Sequence, residues 1–128
     1  MYKILLLLAM VFLHIVDDYY LQGWLASAKQ KSWWKQNASD ELYKNDYVMA
    51  LFMHSFSWAF MIMLIPTVYA LTVASNITLI VALFVSNLCL HMIIDDKKAN
   101  RKEINLIQDQ LMHLTQIVIT WIFLVAIN

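Results

Sequence analysis

Asn87-Leu-Cys-Leu-His91-Met-Ile-Ile-Asp95-Asp96-Lys97-Lys98 closes a long apolar run that begins near Ile77. It carries a histidine and an aspartate four residues apart, just before a cluster of lysines. Four residues on a helix differ by only about 40° in direction, so the two side chains share a face one turn apart. The same spacing stands in His14-Ile-Val-Asp17-Asp18, and its reverse in Asp109-Gln-Leu-Met-His113. These three His/Asp turns, together with His54, are expected to converge inside a small membrane-embedded bundle.

Composition supports that setting. The 128 residues are 62% hydrophobic and 14% charged, with mean hydropathy +0.61 and a single Gly and a single Pro. Soluble domains run near 45–50% apolar and about 25% charged, so this chain lacks the polar surface to face water on all sides. The length allows one domain. Zero net charge argues against a nucleic-acid partner, and the lone Cys89 excludes both a disulfide framework and a thiolate zinc site. Cys89 lies two residues from His91 and is expected on the opposite face as packing, and the eight Met residues are dispersed apolar filler. Met1 to Phe12 has the outline of a secretion signal, with Ala26-Ser27-Ala28 as a small-residue site. His14, Asp17 and Asp18 interrupt that outline, and the segment is read as a retained helix.

The pattern predicts an all-α integral membrane fold of four transmembrane helices, over about 3–24, 47–72, 76–95 and 104–127. The first has only 13 residues from Ile4 to Val16 before its aspartates, against the roughly 20 needed to span a bilayer core, so those aspartates must face protein or water. The second begins after a helix-start signal at Ser39-Asp40-Glu41 and is expected to continue past a kink at Pro66 as far as Ala74. Ser75 or Asn76 should cap the third. Residues 29–46 and 96–103 are read as charged loops, and Trp33-Trp34 flanked by lysines predicts a short interfacial helix between the first two spans.

Four spans place both termini on one side. The two charged loops lie together on the other and hold eight of the nine basic residues. The positive-inside rule makes those loops cytoplasmic in a bacterial inner membrane, with both termini outside. The Asn37-Ala-Ser39 triplet then carries no glycosylation meaning. Lys29, Lys97, Lys98, Arg101 and Lys102 are expected to set orientation and to touch anionic headgroups, and their position would also suit an anionic substrate. Helices 1 and 3 run inward and helix 4 outward, which is why the third pair must invert its order, and it does. At 1.5 Å per residue each His sits about 6 Å deeper than its Asp. His54 falls near the depth of His113. All four histidines thus occupy one deep layer, with Asp18, Asp95 and Asp109 above them. Asn87 continues the stripe on helix 3, Gln116 and Thr120 that on helix 4, and Gln22 that on helix 1. Asp17 lies about 100° off its stripe and is expected, with Asp96, at the interface or behind a better-placed aspartate.

An ionised carboxylate at the centre of a membrane helix costs about 2.5–3.5 kcal/mol, so three cost about 8–10 kcal/mol unless shallow placement or a partner offsets them. A divalent cation does this best. Imidazole and carboxylate donors without thiolate suit zinc first, then Mn, Fe or Ni, and bundles build two-metal sites from facing helices in this way. The expected ligands are His14, His54, His91, His113, Asp18, Asp95 and Asp109. A bound metal supplies hydroxide near neutral pH. That chemistry fits hydrolysis of a lipid or lipid-linked ester or phosphoester, with a free carboxylate among Asp18, Asp95 and Asp109 as general base. Two other readings compete: a proton- or cation-conducting transporter or channel, and a non-catalytic membrane partner whose polar residues fix helix register. The apolar outer half of helix 3, Ile77 to Ser86, argues against a through-path.

The blocks His14-Ile-Val-Asp17-Asp18-Tyr-Tyr-Leu21-Gln22, with Lys29 or Lys31 beyond, then His54, His91-Met-Ile-Ile-Asp95 and Asp109-Gln110-Leu-Met-His113 resemble the pattern of a bacterial and phage membrane family. That family is catalogued as domain of unknown function number 3307, and the resemblance covers nearly the whole chain. It implies that Asp18 rather than Asp17 is the family aspartate, and it adds Gln22 and Gln110, which would orient substrate or a ligand. Asp96 stands where that family has an aromatic or apolar residue, so no role is carried onto it. A more distant similarity to membrane-bound metal-dependent hydrolases implies, by analogy, the same hydrolytic chemistry. Partners implied are the lipid bilayer and a lipid-like substrate. A cellular or phage origin, and a homo-oligomer, are both left open.

Overall fold

The computed structural model describes residues 1–73 and 76–127, and among them every regular element is helical. The elements are α1 (Tyr2–Ile15), α2 (Leu25–Ala28), α3 (Lys31–Asn37), α4 (Asp46–Thr72), α5 (Ile77–Asp96) and α6 (Leu106–Trp121). Three of the long helices run on into wider π-helical turns: Val16–Leu21 after α1, Lys97–Arg101 after α5 and Ile122–Ala126 after α6. With these extensions, four helices are long and apolar enough to cross a membrane.

The buried and exposed sets invert those of a soluble protein. Leu5, Leu8, Phe12, Phe56, Val81, Leu111 and many similar side chains are exposed, whereas His14, Asp17, His54, His91, Asp95, Asp109 and His113 are buried. Helices with apolar residues outside and polar residues inside are what lipid as solvent selects. α4 is the central element, packing most extensively on α5 and α1. Its buried residues include Ala50, His54, Trp58, Ile62, Pro66 and Ala70 at a constant spacing of four, beside Leu51, Ser55, Ala59 and Met63, which lines up one inward stripe. Along that stripe the interior changes character. From Trp58 toward the chain termini it is an apolar cluster including Met10, Ala59, Ile62, Met63, Ile117, Leu124 and Val125. Toward the loops it is histidine and aspartate.

The helix ends follow local chemistry. Gly23 stops the first helix by adopting φ +52°, so the helical run ends at Leu21–Gln22, two residues before the sequence-based limit. Asp40 accepts from the Leu42 backbone N–H and starts a short 3₁₀ turn at Glu41–Tyr43. Asn76 caps α5 by accepting from Thr78 N–H; Ala74 and Ser75, the predicted end of helix 2 and the alternative cap, lie outside the described residues. Pro66 is inside α4, which continues past it to Thr72. α6 begins at Leu106 rather than Ile104, because Asn105 and Gln108 form a reciprocal capping box. The helix ending at Asp95 in the sequence reading instead continues through Lys97–Arg101 and stops at Lys102, φ +59°. Six of the eight residues of the expected second loop, 96–103, are therefore helical.

The two ends of the bundle are pinned separately. At one, Trp121 Nε1 donates to the Lys3 carbonyl at 2.8 Å and Lys3 Nζ to the Ala126 carbonyl at 3.2 Å. At the other, Asn100 joins the charged segments, donating to the Lys29 carbonyl at 3.0 Å and accepting from Lys31 N–H at 2.7 Å. Trp34 Nε1 donates to the Ala28 carbonyl at 2.6 Å and ties α3 back to α2. A side chain at Gly23 would meet no close atom nearer than the Leu21 carbonyl at 3.8 Å, so only its positive φ opposes substitution. Gly23→Ala should therefore cost about 1–2 kcal/mol, read as a lower thermal midpoint in detergent. An unchanged midpoint would mean that the turn does not limit stability.

Candidate metal centre

The wider turn after α1 decides the first contacts. A π turn holds more residues than an α turn and recurs at functional sites. Here it brings Asp17 inside along with Asp18, which rules out the interfacial alternative for Asp17 and leaves the one that put it behind a better-placed aspartate. Asp17 is 1% exposed. Its Oδ1 accepts from Ser57 Oγ at 2.5 Å, and its Oδ2 lies 3.8 Å from His54 Nδ1. On the other side of the same ring, His54 Nε2 lies 3.2 Å from Asp18 Oδ1. The two adjacent aspartates thus flank one imidazole.

From His54 the cluster spreads across α5 and α6. His54 Nε2 is 3.2 Å from His91 Nε2 and 3.3 Å from Asp95 Oδ2. Asp95 Oδ1 lies 3.4 Å from His113 Nε2 and 3.7 Å from His91 Nε2, and His113 Nε2 is also 3.4 Å from Asp109 Oδ1. For donor bonds of 2.0–2.2 Å, the edges of a tetrahedral zinc site are about 3.3–3.6 Å. Most of these separations are close to that range. Among the described residues, two groups offer donor atoms within 4.8 Å of one another: Asp18, His54 and His91, and His91, Asp95 and His113. They share His91, whose Nε2 has one lone pair and serves one ion.

Hydrogen bonding fixes which nitrogens are free. Gln116 Nε2 donates to the Asn87 backbone carbonyl at 3.2 Å, which leaves Gln116 Oε1 to accept from His113 Nδ1 at 3.3 Å. In a neutral ring the lone pair of His113 then sits on Nε2, which has no hydrogen-bond partner and faces two carboxylate oxygens. Lone pairs so arranged repel unless a proton or a metal cation stands among them. His14 is different. Trp58 Nε1 donates to its Nδ1 at 2.7 Å, and Gln110 Oε1 takes its Nε2–H at 3.0 Å. With both nitrogens engaged by protein, His14 leaves the predicted ligand set and becomes a brace. The amide of Gln110 completes the brace by donating to Asp18 Oδ2 at 3.1 Å and Asp109 Oδ2 at 3.0 Å.

Trp58 is the residue that sequence spacing could not flag. Its ring stacks on His91 at 4.2 Å, His91 stacks on His113 at 4.2 Å, and its N–H holds His14. Only its position four residues after His54, on the same face, hinted at this. Lys29 and Lys98 were also misjudged. Lys29 Nζ lies 2.5 Å from Asp95 Oδ2 and Lys98 Nζ 2.6 Å from Asp109 Oδ2, so both enter the cluster rather than only facing headgroups. The extra turn after Asp96 is what brings Lys98 back over Asp109. Gln22 donates to the Asp18 backbone carbonyl within its own helix. Asp96 accepts from Asn100 and Arg101 of the π turn that follows it. Cys89 is exposed on the outer face of α5.

Formal charge sums the arrangement. Four carboxylates, Asp17, Asp18, Asp95 and Asp109, meet two ammonium groups, leaving a deficit of two positive charges when the histidines are neutral. One divalent cation cancels it. Fold and site define an all-helical bundle of four apolar helices with a buried His/Asp cluster able to hold a metal ion. No family model, curated protein or solved structure matches the chain.

The Ser57–Asp17–His54 arrangement resembles the carboxylates that orient metal-bound imidazoles, whose loss weakens metal affinity 10–100-fold. Asp17→Asn should lower zinc affinity by about that factor in competition with a chromophoric chelator. Unaltered affinity would reduce Asp17 to packing.

Proposed function

We propose that the chain is a multi-pass protein of the bacterial cell membrane that holds a divalent cation, zinc first, in this cluster and hydrolyses a lipid or lipid-linked phosphoester. The observation that carries this reading is the cluster of carboxylates around unpartnered imidazole nitrogen, which is short of two positive charges when the histidines are neutral. The exposed apolar residues of all four long helices support membrane insertion. Trp24, Trp33 and Trp34 pack edge to face at centroid distances of 5.0–6.1 Å. That aromatic group beside Lys31 and Lys35 supports α3 as the interfacial helix. The charged segments then face the cytoplasm and both termini face outside. The resemblance of the four His/Asp blocks to the bacterial and phage membrane family agrees with this assignment.

A bound divalent ion would polarise the phosphoryl oxygen and acidify a water molecule. Asp18, His54, His91, Asp95 and His113 are the residues to hold it. Asp109 lies outside both donor groups, and its Oδ1 has no hydrogen-bond partner. That oxygen is suited to act as general base, while Lys98 and Gln110 hold Oδ2. Water oxygen adds to phosphorus, its proton passes to Asp109, the phosphorus–oxygen bond to the alcohol breaks, and the proton returns to the departing alkoxide. Lys29, 13% exposed, and Lys98, 36% exposed, stand at the loop-side mouth. Two ammonium groups there favour an anionic phosphoester over a neutral ester.

A proton or cation pathway is the second reading, and one observation favours it. The polar chain continues from His113 through Gln116 and Asn87 to Thr120, with Asn87 Nδ2 donating to Thr120 Oγ1 at 2.8 Å. Beyond Thr120 the described core is apolar, which opposes a continuous path. In zinc- or manganese-loaded proteoliposomes, hydrolysis of a phospholipid phosphoester should fall about 100-fold or more in Asp109→Asn, with metal content retained. Cation flux without hydrolysis, abolished by His91→Ala, would establish the pathway instead.

A further inference from the structure

A cleft of about 540 Å³ opens between α1 and α6 and touches His14, Gln110 and Leu114. Its walls are Val11, Ile15 and Leu114, and Tyr19 and Tyr20 of the π turn stand at its loop-side end. Its volume is within the usual range for small-molecule sites. His14 and Gln110 form its polar end, and Gln110 lies at hydrogen-bond distance from Asp18 and Asp109. One groove therefore joins an apolar trough, facing lipid, to the carboxylates of the centre.

The remaining apolar grooves lack that junction. The trough between α4 and α5, about 300 Å³, is lined by Phe60, Met63, Val81, Phe84 and similar residues and meets no member of the cluster. The cleft between α5 and α6 reaches the cluster through Gln116, which bonds His113 and Asn87 but none of the carboxylates. α6 also packs less extensively on its neighbours than α4 does.

We infer that this seam is a lateral entrance in which one hydrocarbon chain of a bilayer lipid lies against Val11, Ile15 and Leu114, bringing the lipid's headgroup ester linkage to Gln110. The inference rests on the hydrolase reading for its purpose but not for its measurement. An occupant arriving from the bilayer needs no aqueous channel, which agrees with the apolar core toward the termini. The tyrosines provide the amphipathic rim where chain meets headgroup.

The test uses the full chain in nanodiscs of palmitoyl-oleoyl-phosphatidylglycerol, released and weighed by native mass spectrometry. The wild type should retain one lipid after annular lipid is stripped. Leu114→Trp, which fills the cleft, should lower that occupancy at least tenfold while keeping the wild-type metal content. Val81→Trp, which fills the α4–α5 trough, should leave it unchanged. Val11→Phe fills the facing wall with a smaller increment and should also lower retention, which decides the matter if Leu114→Trp does not fold. Equal retention in the wild type and the folded cleft variants, or equal loss in Val81→Trp, overturns the lateral site. Retention with this pattern in a protein that hydrolyses no phosphoester would overturn the hydrolase reading and leave the lipid site standing.

Discussion

Four carboxylates drawn into the interior of an apolar bundle, with only two ammonium groups to meet them, set the terms for the rest of this molecule. Charge buried without compensation costs several kcal/mol per group. The chain answers with imidazole nitrogens rather than with further lysines. An imidazole offers a lone pair or a proton, whereas a lysine offers only a positive charge. A site built only to neutralise carboxylates would have been finished with two more lysines. One that leaves His113 Nε2 without a hydrogen-bond partner, within reach of His91 and Asp95, could hold a metal ion.

That demand explains the scaffold. α4 presents His54 and Trp58 one turn apart, and the indole both stacks on His91 and donates to His14. The His14 imidazole and the Gln110 amide then fix Asp18 and Asp109 from the outside. Rigid aromatic contacts cost little conformational entropy to order. They keep three imidazoles inside the bundle while an apolar cluster seals its terminal half. The polar centre is therefore open toward the charged segments, where Lys29 and Lys98 close over it.

Much of this was legible in the sequence, for a definite reason. A helix has a fixed rise and a fixed angle per residue, so the reversed order of Asp109 and His113 relative to His91 and Asp95 placed them at matching levels before any coordinates. Composition alone gave helices with apolar exteriors. What escaped were departures from α geometry. A π turn cannot be seen in a spacing rule that assumes 3.6 residues per turn, so Asp17 was turned away from His54 and Lys98 was left in a loop. The capping box at Asn105 and Gln108 was present in the sequence and would have moved the start of α6 two residues along. His14 looked like a ligand because spacing says nothing of which partner claims each ring nitrogen. Trp58 was invisible for the same reason: its role is tertiary, set by rings from three other helices.

The most direct test of the central claim is X-ray absorption on protein loaded with zinc and freed of loosely bound ion. The arrangement predicts at least one tightly held zinc per chain with a nitrogen and oxygen shell at about 2.0–2.1 Å, and outer-shell scattering from two or more imidazoles. The same protein carrying His91→Ala and His113→Ala should lose both the ion and that signature. Zinc content no higher in the native chain than in the double variant, or a shell without imidazole scattering, would contradict the account.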